Sequence, residues 1–381
     1  MVDTFTVHVE EEVLNDLQAR LARTRWPEEV EDAQWEYGTS RSYLRALVEH
    51  WRTTFNWRAQ ERRINALSQF RTRVHDLDIH FVHVRGKGPQ PTPLLLSHGW
   101  PSTFWEMQSI IGPLTDPAAH GGNPADAFDV IIPSLPGFCF SQLAPRRGWI
   151  RVEDYWRTLM TEVLGYRRFI AHGCDIGARV TSQLGRYHGD VVAGIHIGSV
   201  DLEWPSPLPS DLDASERDYV ARVAAWDKSE GGYAHIQGTR PQTLAYGLND
   251  SPVGLASWMV EKFRAWSDCG GNIESRFSMD ELLTHITLYW VTETINTSMR
   301  RYFEAENNPE PNPLPLGARI ETPTAVAMFP GEKDLVVPRQ FAERCYNIVQ
   351  WHDLPRGGHF PAIEEPMMLV DDIREFARRL W

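Results

Sequence analysis

The stretch Ala171-His172-Gly173-Cys174-Asp175-Ile176-Gly177-Ala178 decides the fold. It follows an apolar run that is typical of a strand and precedes a segment with helical spacing. A strand that turns abruptly into a helix holds its turn residue in a strained conformation with an exposed side chain. The two glycines let the strand and the helix approach without a Cβ clash. The residue between them is Asp175, where serine is the usual residue of such an elbow.

Short apolar runs recur along the chain and predict a buried, mostly parallel sheet. They are residues 79–84, 93–97, 128–133, 168–172, 193–197, 324–329 and 347–351. Such runs, alternating with helix-like segments, are typical of α/β proteins. Helix-like, aromatic-rich sequence interrupts the series from about residue 201 to 318, and Pro311-Asn312-Pro313-Leu314-Pro315 marks the return linker. The pattern predicts an α/β core that carries an inserted helical cap.

The chain therefore divides into four parts. Residues 1–75 start with an alternating stretch, Phe5–Val9, that is typical of a strand or a sheet edge, and continue with helical spacing. We expect this N-terminal segment to pack on the core and the cap. Residues 76–200 and 319–381 are the two parts of the core, and residues 201–318 are the cap.

The composition predicts an acidic globular protein. The 381 residues are 42% hydrophobic with a formal net charge of -13, which argues against a nucleic-acid partner or an anionic membrane surface. The four cysteines form no CxxC pattern, which indicates a reducing compartment and no metal cluster. Neither a signal peptide nor a membrane-spanning apolar run is apparent. We expect a soluble, cytoplasmic protein, and the sequence leaves open whether it forms a homodimer.

Four signals follow one another in the order that an α/β-type hydrolase uses. His98-Gly99-Trp100-Pro101 follows a predicted strand, where a turn can offer backbone N–H groups to an oxyanion. Asp175 stands on the elbow, the acidic pair Glu332 and Asp334 follows a later strand, and His359 follows the last one. Each signal alone has an ordinary explanation as a turn. Their common order indicates a catalytic site.

An aspartate nucleophile restricts the reaction. Attack on an ester or amide would give a labile anhydride, whereas attack on a carbon with a leaving group gives an alkyl ester that water then cleaves. An epoxide oxygen leaves as an alkoxide and needs a proton donor, such as a tyrosine of the cap. A halide needs N–H donors, commonly tryptophan. An epoxide hydrolase, a haloalkane dehalogenase and a non-catalytic binding protein on this fold are the alternatives at this point.

Over essentially its whole length the sequence resembles the microsomal-type epoxide hydrolases of the α/β-hydrolase superfamily. The motifs that carry the resemblance are Thr24-Arg25-Trp26-Pro27, His98-Gly99-Trp100-Pro101, Pro133-Ser134-Leu135-Pro136-Gly137-Phe138, Gly232-Tyr233-Ala234-His235-Ile236-Gln237, Ser298-Met299-Arg300-Arg301-Tyr302 and Arg356-Gly357-Gly358-His359-Phe360. The resemblance implies an α/β-hydrolase fold with a cap, a small-molecule epoxide as substrate, a vicinal diol as product, and no cofactor.

The resemblance also implies the roles of single residues. Asp175 would be the nucleophile, and His359 would be the base of the second step. Tyr233 and Tyr302 of the cap would donate hydrogen bonds to the epoxide oxygen. The backbone N–H groups of two residues, Trp100 and Ile176, would form the oxyanion hole. The predicted substrate pocket consists of Trp100, Pro101, Phe138, Ile176, Ile236 and Gln237.

The acid that holds His359 is either Glu332 or Asp334. The family's Phe-Pro-x-acid pattern points to Glu332. The generic Gly-x-x-Asp-x-x-x-Pro spacing, from Gly331 to Pro338, points to Asp334. We favour Glu332, because the count from the Phe-Pro pair to the Gly-Gly-His motif then needs no gap.

The sequence departs from the family pattern at two points. The family commonly has Asp-Trp-Gly at the nucleophile, whereas this chain has Asp175-Ile176-Gly177. The change opens space there and removes a tryptophan that a haloalkane dehalogenase would typically use. The family's membrane anchor is missing, which resembles the soluble bacterial members. These features, with the aromatic cap, predict a bulky or aromatic epoxide, and similar enzymes act in secondary metabolism, including on enediyne-type natural products.

Overall fold

The computed structural model describes residues 2–143, 148, 150–200, 208–308 and 318–380. The predicted return linker at 311–315 lies outside the described residues. Nine strands within those ranges form one sheet. Their bounds are β1 Val2–Phe5, β2 Gln69–Val74, β3 Leu77–Val84, β4 Thr92–Ser97, β5 Phe128–Pro133, β6 Phe169–Gly173, β7 Val192–Ile197, β8 Ile320–Met328 and β9 Tyr346–Asp353.

The strand order is β1-β2-β3-β5-β4-β6-β7-β8-β9. The pairs from β1 to β5 are antiparallel, and the pairs from β5 to β9 are parallel. The described helices are α1 Glu11–Ala22, α2 Arg41–Thr53, α3 Trp57–Asn65, α4 Gln108–Thr115, α5 Val152–Thr158, α6 Ile176–Tyr187, α7 Ala214–Glu230, α8 Gly232–Thr239, α9 Pro241–Asp250, α10 Pro252–Trp266, α11 Met279–Thr292, α12 Ile295–Asn307, α13 Arg339–Ala342, α14 Pro361–Glu364 and α15 Pro366–Leu380.

The sheet separates two apolar cores. On β4, Leu95 packs into a core shared with cap helices, while its neighbour Leu94 packs into a second core shared with α15. Successive side chains of a strand point to opposite faces, so a strand covered on both faces must be apolar throughout. This explains why the central strands are continuous apolar runs, and the predicted α/β fold class is confirmed.

The first predicted strand is displaced. Phe5–Val9 was expected to be extended as a strand or sheet edge, but β1 ends at Phe5. Beyond it, the backbone N–H groups of Val7 and Val9 donate to Asn65 Oδ1 and Glu61 Oε1, each at 2.8 Å. Side chains of α3 thus satisfy a backbone that a neighbouring strand would otherwise pair with.

The strand β2 was not predicted. Its sequence alternates apolar residues with Arg71 and Arg73, so it lacks the continuous apolar run of the central strands. Antiparallel pairing with β3 on one side and β1 on the other nevertheless holds it in the sheet. The N-terminal segment therefore extends the sheet as well as packing helices beside it.

Helices α7–α12 are inserted between β7 and β8. Cap residues such as Val260 on α10 and Ile286 on α11 are fully buried in the core beneath them. The carboxyl ends of the parallel strands meet at one edge of the sheet, where α/β proteins place their ligands. In the part of the chain that the structure describes, no helix is both long and apolar enough to cross a membrane.

Candidate active site

The elbow after β6 holds Asp175 in an unusual backbone conformation. Its φ of 53° and ψ of -130° lie in a region that side-chain-bearing residues seldom adopt. A Cβ on Gly177 would lie 2.0 Å from the carbonyl oxygen of Ser97, and one on Gly173 would lie 2.2 Å from that of Gly177. Both glycines are therefore required by the close approach of α6 to the strands. The elbow presents the Asp175 side chain at the strand ends.

Hydrogen bonds fix the Asp175 carboxylate and backbone. The Trp100 amide donates to Oδ1 of Asp175 at 2.8 Å. The Asp175 amide donates to Ser199 Oγ at 2.9 Å, and its carbonyl oxygen accepts from Ala178 in the first turn of α6. The side chain is 18% exposed, which leaves the second carboxylate oxygen accessible. The predicted oxyanion turn and the predicted nucleophile therefore meet directly.

His359 lies between two carboxylates. Its Nδ1 is 2.5 Å from Glu332 Oε1, and its Nε2 is 3.4 Å from Asp175 Oδ2. The side chain of Asp334 is exposed, and its carbonyl oxygen accepts from Nη1 of Arg222 at 2.9 Å. The structure thus brings Glu332, and not Asp334, to the histidine.

The two carboxylates change the protonation of His359. Burial alone lowers the pKa of the imidazole, but the negative charges of Glu332 and Asp175 outweigh burial and hold that pKa well above its usual value. The ring therefore stays protonated, as an imidazolium, at pH values where a free imidazole would be neutral. Loss of the Asp175 charge would remove one of the two stabilising partners.

Hydrogen bonds connect the loop that carries His359 to the cap. The His359 amide donates to the carbonyl oxygen of Trp266 at 3.0 Å. Glu364 accepts from the amides of Phe360, at 3.0 Å, and Asp268, at 2.8 Å. The Glu364 carboxylate thus bridges the histidine loop and the chain that follows α10. Neither Trp266 nor Glu364 was predicted, because no spacing in the sequence links them to His359.

Two tyrosines of the cap flank Trp100. The Tyr233 ring on α8 stacks on the Trp100 ring at 5.4 Å, and the Tyr302 ring on α12 meets it edge-on at 6.0 Å. The two tyrosine rings lie 5.9 Å apart. Burial raises the pKa of both phenols, and the nearby Asp175 charge raises it further. Both side chains therefore keep their protons and can act as hydrogen-bond donors.

The other predicted site residues lie in different environments. The Ile176 amide stands at the N-terminus of α6, beside Asp175. Phe138 is fully buried, and its ring lies 6.2 Å from that of Tyr289. Pro101 is buried next to Trp100.

The two predicted pocket residues of the cap differ in exposure. Gln237 is buried and accepts from Trp258 Nε1 at 3.2 Å. Ile236 is 40% exposed and faces solvent more than the other predicted pocket residues.

Two further cap residues, which were not predicted, approach the site. The Trp266 ring lies 4.9 Å from the His359 ring and 5.0 Å from that of Tyr233. Lys262 is buried, with Nζ 4.9 Å from the Tyr233 ring centre and 2.6 Å from a carboxylate oxygen of Glu261. A lysine on an apolar helix is the one clue that the sequence offers for this contact. Among the described residues, no group of three or more His, Cys, Asp or Glu side chains is arranged so that it could hold a metal ion.

Two family models together match almost the whole chain. The model described as "Epoxide hydrolase N terminus" matches residues 2–107, and the one described as "Alpha/beta hydrolase family" matches residues 94–372. The first covers the N-terminal segment and the turn at Trp100. The second begins within β4 and ends in α15, so it spans the elbow at Asp175, the cap and the loop that carries His359.

Individual relatives match almost the whole chain. A protein of Stigmatella aurantiaca named "Putative epoxide hydrolase" is 41% identical and aligns over 100% of this chain and 85% of its own length. Epoxide hydrolase 1 of Sus scrofa is 35% identical over 98% and 87% of the two chains. The crystal structure of juvenile hormone epoxide hydrolase from Bombyx mori superposes with a TM-score of 0.89 and 26% identity, covering 100% of this chain and 95% of that one.

Proposed function

The chain belongs to the epoxide hydrolases of the α/β-hydrolase superfamily, and we propose that it opens its epoxide through a covalent alkyl ester on Asp175. It is an enzyme that hydrolyses epoxides. The observation that carries the proposed route is that the two oxygens of the Asp175 carboxylate have different partners. Oδ1 accepts from the Trp100 amide, while Oδ2 lies near His359 Nε2.

In the first half of the reaction, Oδ2 of Asp175 attacks one carbon of the epoxide ring. The carbon–oxygen bond of the ring breaks, and the oxygen leaves as an alkoxide. The hydroxyl groups of Tyr233 and Tyr302 hydrogen-bond this oxygen, and one of them protonates it as it leaves and becomes a tyrosinate. Their buried positions and protonated state support this role.

In the second half, a water molecule attacks the carbonyl carbon of the ester. The Asp175 carboxylate has lost its charge by alkylation, so the pKa of His359 falls and the ring gives up its extra proton, which restores the hydroxyl of the tyrosine that protonated the epoxide oxygen. The neutral ring then takes a proton from the attacking water. Glu332 stabilises the imidazolium that results. The negative charge that develops on Oδ1 is held by the Trp100 and Ile176 amides, and collapse releases the diol and restores the carboxylate.

We propose a bulky or aromatic epoxide as the substrate. Aromatic rings from Trp100, Tyr233, Tyr302 and Trp266 pack against one another beside His359, and this apolar environment supports an apolar substrate. Ile176 stands where the family commonly has an aromatic residue, and it is only partly buried. A substrate of this kind would fit a step in natural-product biosynthesis.

Trapping the ester tests the proposed route. His359→Gln should form the alkyl ester normally but fail to activate water. Mass spectrometry of this variant after mixing with styrene oxide should find the chain heavier by one epoxide, with the addition on Asp175. The unmodified mass in His359→Gln, together with diol formation by the wild type, would contradict the covalent route. Faster turnover of styrene oxide than of a small aliphatic epoxide would support the proposed substrate class.

A further inference from the structure

A buried carboxyl group lies behind the oxyanion turn. Glu106 stands in a 3-10 turn, Phe104–Met107, directly after the His-Gly-Trp-Pro motif, and is 3% exposed. Its Oε2 is in hydrogen-bond contact with Oγ of Ser102, which is 1% exposed. Ser102 Oγ also lies 3.2 Å from the carbonyl oxygen of Gly99. The proposed chemistry at Asp175 does not use Glu106 or Ser102 directly.

The Gly99 carbonyl and the Trp100 amide belong to one peptide group. The N–H end of this group donates to Asp175 Oδ1. The C=O end accepts from Ser102 Oγ and, at 3.0 Å, from Nδ1 of His98. Donors on the carbonyl oxygen of a peptide orient it and strengthen the hydrogen bond that its N–H makes. The groups behind this peptide thus act on the amide that faces the nucleophile.

The hydrogen bonds around this peptide indicate which atoms of His98, Ser102 and Glu106 carry protons. His98 Nε2 accepts from the Leu135 amide at 3.1 Å, so the proton of this ring is on Nδ1, which donates to Gly99. The Ser102 hydroxyl has a single hydrogen but contacts two oxygens. Both contacts are hydrogen bonds only if Glu106 carries a proton, donates it to Ser102 Oγ, and lets Ser102 donate to Gly99.

We propose that Glu106 is a positioning residue that, as a neutral carboxylic acid, acts through Ser102 to orient and polarise the Gly99–Trp100 peptide for hydrolysis of the ester. This inference rests on the proposed function and names a further residue of the same site. Glu106 does not touch the substrate. Its ionisation would turn the single Ser102 hydrogen towards the carboxylate, and Gly99 would lose one of its two donors.

The environment of Glu106 favours the protonated form. Burial raises the pKa of this carboxyl to about 7, with hydrogen bonding from Ser102 acting in the opposite direction. Among the charged neighbours, His359 lowers this pKa, while Asp175 and Glu364 on α14 raise it. The Cys174 thiol also lies within electrostatic reach. Helix α4, which packs against this turn, carries no titratable side chain.

The other neighbouring element, β5, carries one acidic residue, Asp129. It is paired with Arg85 at 2.7 Å and accepts from Tyr166 at 2.7 Å. The ionisation of Glu106 should change the rate of ester hydrolysis. As the pH rises through about 7 the carboxyl ionises, Gly99 loses the Ser102 donor, and hydrolysis of the ester slows.

The pH profile of Glu106→Gln tests this inference. The amide of glutamine donates to Ser102 Oγ at every pH, so the Ser102–Gly99 bond no longer titrates. Rapid-quench measurements should follow hydrolysis of the styrene-oxide-derived ester between about pH 5.5 and about pH 9. The ratio of the wild-type to the Glu106→Gln rate constant should fall by about 10-fold across this range, because the titration of His359 is common to both proteins. A constant ratio would overturn the inference.

Ser102→Ala provides a second test that does not depend on the fold of Glu106→Gln. Loss of the Ser102 donor should slow hydrolysis of the ester by about 10-fold but leave its formation undiminished, because the oxyanion develops only in the second half-reaction. Equal slowing of both half-reactions would indicate a merely structural role and overturn the inference. If the wild type forms diol without an alkyl ester, the proposed function fails and this inference with it. A normal ester with unaltered profiles overturns this inference alone.

Discussion

The amide nitrogen of Trp100 lies 2.8 Å from Oδ1 of Asp175. This contact joins two motifs that are 75 residues apart in the sequence and makes the two oxygens of one carboxylate unequal. Oδ1 has a donor and is suited to become the oxyanion of a tetrahedral intermediate. Oδ2 lies 3.4 Å from His359 Nε2 and has no such backbone donor in the described residues. The geometry thus supports a different role for each oxygen.

The two candidate acids provide a matched pair of variants. Glu332→Gln should lower kcat by about 100-fold or more, because the amide cannot stabilise the imidazolium. Asp334→Asn should change kcat by less than about twofold, since the Asp334 side chain is exposed and its contact to Arg222 is made by the backbone. Steady-state kinetics of both variants would decide the assignment. A greater loss in Asp334→Asn would mean that the other acid holds His359.

The cap tyrosines should act mainly on the formation of the ester. Tyr233→Phe and Tyr302→Phe should each slow this step by about 100-fold, because the leaving alkoxide loses a proton donor. Tyr246→Phe is the control, since this cap tyrosine is 71% exposed. Stopped-flow fluorescence during a single turnover would measure the step. Undiminished ester formation in both buried-tyrosine variants would refute their role as donors.

The pKa of His359 should depend on the charge of Asp175. In the folded protein this pKa is raised above its ordinary value, so the protonated ring persists as the pH rises past the value at which a free imidazole titrates. Asp175→Asn removes one negative charge, as alkylation would, and should lower the pKa of His359. A titration of the ring nitrogens by NMR would measure the difference. An unchanged pKa would contradict the proposed activation of His359 by ester formation.

Close packing at the elbow predicts a large effect on stability. Gly177→Ala would place a Cβ 2.0 Å from the backbone oxygen of Ser97, and we expect a loss of about 3 kcal/mol in the free energy of unfolding. Gly247→Ala is the control, because a Cβ there meets nothing within 4 Å and the residue lies inside α9. It should stabilise the protein by up to about 1 kcal/mol. Urea denaturation of both variants would show whether the glycine of the elbow is required.

The central strands were predictable because they are continuous apolar runs, and the order of the site motifs was predictable because each motif follows a predicted strand. β2 was not predictable in this way, since Arg71 and Arg73 interrupt its pattern and its neighbours in the sheet stabilise it. The backbone around Val7 likewise depends on Asn65, which is 58 residues away. Local pattern therefore does not identify a strand whose position depends mainly on contacts with residues that are distant in the sequence.

Within the site, the sequence predicted the residues that directly follow strands. It did not predict the residues whose place in the site depends on contacts formed only in the folded protein. Glu332 and Asp334 lie two residues apart, and only the direction of their side chains distinguishes them. Ser102 and Glu106 lie just after the recognised motif at residues 98–101, yet the contacts that link Glu106 through Ser102 to Gly99 depend on the folded loop. Trp266 and Glu364 approach His359 only because the cap packs against the histidine loop.

A single turnover in water labelled with heavy oxygen tests the covalent route most directly. With enzyme in excess over styrene oxide, the ester hydrolysis proposed here transfers an oxygen of Asp175 to the diol and puts the labelled oxygen into the carboxylate. Mass spectrometry of the peptide that contains Asp175 should therefore find the label there, and the diol of the first turnover should be unlabelled. Label in that diol and none in Asp175 would contradict the covalent route.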